Sequence, residues 1–581
     1  MSVGRTARTA ALIGAPLLLI GVLAWPMLFT NGDFNEDWAH HLWFMWNQSL
    51  ALRDNYHPTL FLNATYSVFY PEYAFYGGTL YVLGGALSLL LGNAPIETYV
   101  LIYLLGFAAA YGGWYWMARA AGLGAWWAHV PGVVFITSAY YLTLIYARGD
   151  LPEFIGVSMM PLLIASGLSV LRADRLRAWP ALALAASSIV FCGSHSLTLI
   201  WGSTLIALVG LAAACCVPDA RRWLTRRGLL RVASVVIPAF LVSAWFLLPT
   251  LVYQSHTQVG VEYSYWRFTL RATMNLVSAN NLFALSRVTA TPGNEFVLSL
   301  PLLAMAWSLI GILICWFGGL RGAWVRLLLI CAAAATLMIV VMTHAGLILA
   351  LPKPYAILQF AYRLESYVIL AVSGAVLVCL VAIRSGTPRI RSWRWMLAPI
   401  LIVALAGAVQ QTGAYPHGQS RQAVIRSPFK SEFTERILTD YTDGSLPHFV
   451  DRGKPVEVIF PAAAIHDNHI SKVVHLRPGE LVYTNIGGGP ELVHVGGAKI
   501  VGVDPADNDV LEIGPSARAS AASANHRPTE VITLSTASGP PLVLGRVLSL
   551  VGVISLIALF VALLIRRRAA HPREGAAGNP G

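Results

Sequence analysis

The feature that most constrains this chain is a recurrence of apolar windows, each about as long as a bilayer is thick. They fall at roughly 11–30, 77–92, 97–117, 124–146, 154–171, 178–194, 196–216, 230–252, 296–317, 325–349, 364–384, 395–412 and 541–565. A helix needs about 20 apolar residues to cross the hydrocarbon core, and helices and closed barrels alone satisfy their backbone there. Charged residues make up only 12% of the chain, about half their share in soluble domains. The expected fold is therefore a polytopic α-helical membrane protein.

Its direction follows from the basic connectors. Arg172–Arg177, Arg221–Arg227, Arg321–Arg326, Arg384–Arg394 and Arg566–Arg568 stand between or after apolar windows, where cytoplasmic loops carry Lys and Arg. They account for most of the formal charge of +12. No basic patch interleaved with aromatics accompanies them, which argues against nucleic acid as a partner. The short basic N-terminus (Arg5, Arg8) ahead of the first window reads as the start of an uncleaved span. Thirteen windows cannot leave both ends inside. The weakest, 77–92, is short and holds Gly77, Gly78, Gly84 and Gly85. Read as a re-entrant or interfacial helix, it leaves twelve spans of the 12–13 candidates. All six cysteines lie in apolar windows, so no disulfide framework is expected in the polar part.

That polar part is 413–540. Its β-like runs at 456–460, 472–476, 491–495, 499–503, 510–513 and 530–534 are separated by turn signals such as Arg477-Pro-Gly-Glu480 and Gly487-Gly-Gly-Pro490. The expected organisation is a transmembrane domain over 1–412 with an outer loop at 31–76, then an extracytoplasmic β-sandwich-like domain over 413–540. A final span at 541–568 and a disordered cytoplasmic tail at 569–581 follow, and the Ala/Ser-rich stretch 516–527 is read as a loop.

This topology collects ionisable residues on the outer face. Asp33, Glu36, Asp37, His40 and His41 follow the first window; Arg148, Asp150 and Glu153 lie between two others; His195 and Arg363 precede later ones. Ionisable groups at the membrane are costly and default to functional candidates. From Asp37 to Asp54 the pattern is that of an amphipathic helix in the interface plane, with Trp38, Leu42, Met45, Trp46 and Leu50 on one face. The Tyr-, Phe- and Pro-rich stretch Tyr56–Tyr76 suits an interfacial belt or a groove wall. In a helix starting near Glu36, Asp37 shares a face with His40 and His41, as a base with its orienting group or part of a metal site. The structural alternative is that Asn35, Glu36 and Asp37 cap and charge the start of that helix, and that Asp150 and Glu153 open the one near Pro152. Capping leaves Arg148 unexplained at an outer boundary. A carboxylate to accept a hydroxyl proton and a cation (Arg148, Arg363 or Arg267) to meet a leaving phosphate are what glycosyl transfer from a phosphate-linked donor requires.

Three passages together resemble the GT-C glycosyltransferase superfamily, and more narrowly the bacterial YfhO-like and 6-pyruvoyl-tetrahydropterin synthase-related membrane proteins. They are Asp37-Trp-Ala-His40-His41, Tyr146-Ala-Arg148-Gly149-Asp150-Leu-Pro-Glu153 and Leu358-Gln359-Phe360-Ala361-Tyr362-Arg363. The last is similar to the family's Leu-x-Phe-Pro-Trp-Arg pattern, with Ala361 and Tyr362 in place of Pro-Trp. The resemblance covers most of the membrane part and rests on the set. It implies a GT-C fold and inverting transfer of a sugar from a polyprenyl-phosphate-linked donor to a glycan or glycolipid acceptor, on the outer face of the cytoplasmic membrane. The family's catalytic Asp maps onto Asp37, with Asp33 and Glu36 as the alternatives. His40, His41, Arg148, Asp150, Glu153, His195, Gln359 and Arg363 are the expected substrate-binding residues. Some members of the superfamily use a divalent metal and others do not, so a metal stays open and no other cofactor is implied. The Ala- and Arg-rich usage is compatible with a high-GC actinobacterium and an envelope arabinan or mannan product. Competing classes are a lipid or glycan transporter, which should show internal repeats, and a non-catalytic envelope assembly protein.

Overall fold

The computed structural model describes residues 3–29, 37–61, 68–69, 71–253, 305–311, 313, 322–356, 358, 360–386, 388–413, 421, 456–458, 469–476, 478–487, 492–503, 509–513, 529–536 and 539–569. Among them, seven helices are long and apolar enough to cross a membrane: Pro95–Ala120, Leu151–Arg172, Ser196–Cys216, Ala323–Thr343, Ala361–Arg384, Ile390–Val409 and Pro540–Arg566. Two pairs, Trp127–Ile136 with Ala139–Tyr146 and Arg226–Leu241 with Ala244–Tyr253, bend by 50° and 69° and raise the number to nine if each is one broken span. The expected twelve spans are thus not all long helices. Windows 11–30, 77–92 and 178–194 hold only the shorter apolar helices Ala10–Leu23, Gly78–Leu90 and Ala178–Ser194. Most of window 296–317 lies outside the described residues, as do 516–527 and the tail from 570. The first helix ends at Leu23, and a separate short one, Trp25–Phe29, begins around Pro26, whose ring removes a backbone donor.

The helices that position the polar residues are α1 (Trp38–Asn55), α2 (Gly78–Leu90), α3 (Pro95–Ala120), α4 (Leu151–Arg172), α5 (Ala178–Ser194), α6 (Ser196–Cys216) and α7 (Glu365–Arg384). The last span is α8 (Pro540–Ala569). The span containing α7 is 83% buried, against 17% for those of α6 and α8, so α7 is central and the other two are peripheral. The exposed residues of α8 include Leu544, Val547, Leu550, Val551, Ile554 and Ile557, a surface suited to lipid.

Helix α1 corrects one expectation. It has no broad exposed polar face: Trp38–Met45 and Asn47–Ala51 are all buried. The reason lies in the glycines of α2. A Cβ at Gly85 would stand 2.7 Å from the Ser49 backbone nitrogen, and one at Gly84 2.7 Å from Met45 Cγ. Two glycines in succession bring α2 against Met45 and Ser49 of α1, while Tyr81, Tyr73 and the Thr59 backbone cover His41, Asn47 and Gln48. Asn47 and Gln48, enclosed on α1, find partners. Asn47 donates to the Tyr73 hydroxyl (3.0 Å), which donates to the Phe44 carbonyl (2.9 Å). Gln48 exchanges bonds with the backbone of Thr59 at 2.7 and 3.2 Å, as buried polar groups require.

Seven strands form the C-terminal β region: β1 (Val456–Val458), β2 (His469–His475), β3 (Leu481–Thr484), β4 (Val493–Gly496), β5 (Ala498–Val503), β6 (Asp509–Ile513) and β7 (Thr529–Thr536). Each of the six expected runs overlaps a strand; β3 is additional. One sheet has the order β1-β3-β6-β5 and the other β2-β7-β4. Ile470, Ile532 and Leu534 of one sheet share a core with Val482, Leu511 and Ile513 of the other, as in a sandwich. Phe61, Val68 and Phe69 join that core. Val68 also pairs with Ile486, its N–H donating to Asn485 O at 2.6 Å and its carbonyl accepting from Gly487 N at 3.0 Å.

Close helix approach predicts a sharp positional effect. Gly85→Ala should destabilise the protein by about 1–3 kcal/mol, the range for overpacking. Gly14→Ala, where a Cβ meets nothing within 4 Å, should not. Thermal unfolding of the solubilised chain distinguishes the two; equal Tm values would contradict the packing account.

Candidate functional site

The site is assembled from turns. After the helix Ala139–Tyr146, the chain reverses at Gly149, whose φ of +65° favours glycine. Arg148 N–H donates to Thr143 O at 2.9 Å and Asp150 N–H to Leu144 O at 2.8 Å, so this reversal wraps the helix end. Asp150 then caps α4, its Oδ1 accepting from Glu153 N–H at 3.0 Å. Local structure thereby puts one cation and two carboxylates within a few residues and turns them inward.

The charges find one another there. Arg148 Nη2 stands 2.9 Å from Asp150 Oδ2 and its Nη1 2.8 Å from Glu153 Oε2. Tyr140 donates its hydroxyl to Glu153 Oε1 at 2.8 Å. From the far side, Arg363 Nε lies 3.5 Å from Glu153 Oε2 and its Nη2 4.0 Å from Asp150 Oδ2. The Arg148, Asp150 and Glu153 side chains are 3%, 0% and 3% exposed, and that of Arg363 is 11% exposed. Arg148 is the committed cation and Arg363 the loosely held one. Tyr362 places its ring 5.6 Å from the Arg148 guanidinium carbon.

Two histidines complete the cluster. His195, between α5 and α6, accepts at Nδ1 from the Thr198 backbone N–H at 3.4 Å and lies 2.8 Å from the Thr198 hydroxyl. An acceptor at Nδ1 leaves the proton of a neutral ring on Nε2. His41, on α1, shares a 2.6 Å hydrogen bond between Nδ1 and the Tyr81 hydroxyl. Its ring is stacked at 5.8 Å from Tyr76 and 6.1 Å from Tyr81, and Tyr76 meets His195 edge-on at 6.2 Å. Among the described residues, His41 Nε2 is buried with no hydrogen-bond partner. Burial lowers both imidazoles from 6.5 to about 3, against the opposite pull of Asp150. Burial alone would raise the Asp150 carboxyl. Arg148, reinforced by Arg363, outweighs it and holds Asp150 below the usual carboxylate range.

The half-buried Asp37 stands where α1 begins, and its N–H donates to the Arg148 carbonyl at 2.9 Å. Its side chain makes no capping bond to α1, so capping alone does not explain it. The orienting group of His41 is Tyr81, not Asp37. His40 is buried on α1 and stacks on Phe44 at 6.1 Å. Asp33, Glu36 and Gln359 lie outside the described residues. The structure thus brings Arg148, Asp150, Glu153, His195 and Arg363 together, with His41 beside them and Asp37 joined through its backbone. Sequence reasoning does not reach Tyr81 and Tyr140, which sit in apolar windows and carry no signal there; Tyr76 ends the aromatic stretch read as a belt or groove wall.

Asp150, Glu153 and His195 each offer a ligand atom, all within 4.8 Å of one another. They are the described residues that can hold a metal ion.

No model of a known protein family matches the chain, and no curated protein matches it. Some solved structures share part of its course. The Archaeoglobus fulgidus oligosaccharyltransferase in the apo form is 13% identical with a TM-score of 0.45, over 78% of this chain and 62% of that one. The same organism's oligosaccharyltransferase AglB, in complex with an inhibitory peptide and a dolichol-phosphate, gives 13% and 0.43 over 79% and 63%. The arabinofuranosyltransferase AftD from mycobacteria gives 16% and 0.42 over 70% and 27%. The chain spans about three fifths of the oligosaccharyltransferase and about a quarter of the arabinofuranosyltransferase. Likeness of this degree carries no activity, substrate or partner across.

Two outcomes follow from the cluster. Glu153→Leu leaves a buried cation short of a partner and should cost about 3–5 kcal/mol. Arg148→Met combined with Glu153→Leu should cost less than the sum, because Arg363 and Asp150 still balance; a double-mutant cycle on unfolding reads this, and additivity would contradict it. The histidines set a pH dependence. Their folded values near 3 lie below the unfolded 6.5, so the unfolded chain binds protons that the folded one refuses. Their contribution is fully present above pH 6.5 and is lost as pH falls toward 3. His41→Gln should flatten the decline of Tm over that window; an unchanged slope would show that His41 does not resist protonation.

Proposed function

We propose that this chain is a membrane glycosyltransferase that moves a sugar from a polyprenyl-phosphate-linked donor to a glycan or glycolipid acceptor. The observation that supports this best is the convergence, at the ends of apolar helices, of Asp37, His41, Arg148, Asp150, Glu153, His195 and Arg363 from four separate stretches of sequence. Each part has a use in displacement at an anomeric carbon. The acceptor hydroxyl oxygen attacks C1, the bond from C1 to the phosphate oxygen breaks, and the sugar inverts. Asp37 takes the hydroxyl proton, its half-buried position keeping it open to an acceptor. Arg363 meets the charge that develops on the departing polyprenyl phosphate. Arg148 is a positioning residue that holds Asp150 and Glu153. His41 Nε2 and the Nε2–H of His195 are free to bond sugar hydroxyls, with Tyr76 as a flat wall between the rings.

In this reading the cluster faces the outer side of the cytoplasmic membrane, opposite the basic connectors. The β region within 413–540 guides the acceptor, being joined through Val68 and Ile486 to the segment that follows α1.

With the purified, reconstituted protein and a lipid-phosphate-linked sugar, Asp37→Asn should lower kcat by about 10²–10⁴-fold with little change in donor KM, the range for loss of a general base. Arg363→Gln should raise donor KM as well. Asp33→Asn in parallel separates the loop's carboxylates: if it alone abolishes turnover, the base is Asp33. Full turnover in both carboxylate variants would sink the catalytic reading of this loop.

A further inference from the structure

The Asp150–Glu153–His195 cluster has the composition of a divalent cation site: two carboxylates and an imidazole, with donor atoms within 4.8 Å. Each carboxylate already has a charged partner. Asp150 Oδ1 accepts from Glu153 N–H, and Oδ2, which accepts no hydrogen bond among the described residues, is ion-paired with Arg148 at 2.9 Å. Glu153 Oε1 accepts from Tyr140, and Oε2 meets Arg148 at 2.8 Å and Arg363 at 3.5 Å. His195 accepts at Nδ1 from Thr198 N–H and lies 2.8 Å from the Thr198 hydroxyl; with Nδ1 as acceptor the neutral ring carries its proton on Nε2, and only the other tautomer, with Nδ1–H donating to that hydroxyl, offers Nε2 to a metal. Two guanidiniums balance two carboxylates. A divalent ion would have to enter a buried, neutral cluster, displace Arg148 from both carboxylates, and stand beside a second arginine. The donors are those of a metal site, but their present partners do not fit one.

We propose that Arg148 is the resident cation of this cluster: its guanidinium occupies the place of a divalent metal, and Asp150, Glu153 and His195 form a latent metal site that Arg148 keeps closed. The arginine explains itself in this way. Its two terminal nitrogens reach different carboxylates, so one rigid fork does the bridging a metal ion would do. The cluster is then held together at any metal concentration, and among the described residues Arg363 is left as the adjustable cation in contact with it. The inference does not depend on which reaction the site performs.

The test is Mn²⁺ binding by the full chain in detergent at neutral pH, followed by electron paramagnetic resonance of the free ion and by thermal unfolding. The wild type should show no binding that Asp150→Asn removes, and its Tm should not change with chelator. Arg148→Gln keeps an amide beside the carboxylates but removes the charge. It should bind one equivalent of Mn²⁺, rise in Tm on adding it, and lose both effects when combined with Asp150→Asn. Stoichiometric Mn²⁺ binding by the wild type that Asp150→Asn abolishes would overturn the proposal, and so would a folded Arg148→Gln protein that gains none. If Arg148→Gln does not fold, the wild-type comparison with Asp150→Asn still decides, because a metal-holding cluster predicts binding there and an arginine-filled one predicts its loss.

Discussion

The ion pairing of Arg148 with Asp150 and Glu153 is the interaction on which the rest of the polar architecture depends. A buried charge costs several kcal/mol unless it is paired and hydrogen-bonded. Arg148 therefore has one low-energy position, between two carboxylates at 2.9 and 2.8 Å. That position registers distant parts of the chain. The carboxylates belong to the capped start of α4. Arg363, which approaches them from the other side, precedes α7, the most buried span. The Arg148 carbonyl receives the N–H of Asp37, where α1 starts. Helix ends far apart in sequence are thus aligned by a charge balance, while the helix bodies are aligned by close packing.

The packing half is carried by small residues. Gly84 and Gly85 bring α2 against α1, and the same device recurs where Gly113 of α3 meets the backbone of Pro161 and Leu162 in α4. A methyl group at Gly85 or Gly113 would have to displace backbone, and one at Gly84 would meet the Met45 and Ile102 side chains. Enclosing α1 also links the two cores. Helix α1 runs into Thr59–Phe61, and Phe61, Val68 and Phe69 are buried with residues of both sheets. The segment that begins at Asp37 therefore ends as part of the β region.

Much of this was legible in the sequence, at the level of elements. Apolar windows of bilayer length marked the helices, and alternating apolar runs marked six strands. The third strand, Leu481–Thr484, is no shorter than β4 and lies outside the marked runs, directly after the turn signal Arg477-Pro-Gly-Glu480. Of the twelve expected spans, the described residues hold seven long apolar helices, or nine with the bent pairs. A window average does not register a break at Pro26 or a 69° bend between Leu241 and Ala244. Amphipathicity misplaced α1, because the polar face of a helix reads the same whether water or a hydrogen-bonded partner covers it, and Tyr73 and the Thr59 backbone are such partners. Most described members of the cluster were found, since ionisable residues are rare enough here to stand out. Their roles were not, because the sequence does not say which charges neutralise one another.

Arg148 shows the difference. Its place opposite the basic connectors conflicts with the distribution of arginines around spans, and that conflict drew attention to it as a phosphate ligand. The geometry gives it other work. Strong guanidinium–carboxylate bonds fall near 2.7–2.9 Å, and both of its contacts meet that length. Those of Arg363 to the same carboxylates, at 3.5 and 4.0 Å, do not. A cation held weakly and left 11% exposed can re-pair with an entering anion at small cost; one clasped at both ends cannot. Of two arginines that look alike in sequence, one is paired with both carboxylates and the other stands at longer range from the same two.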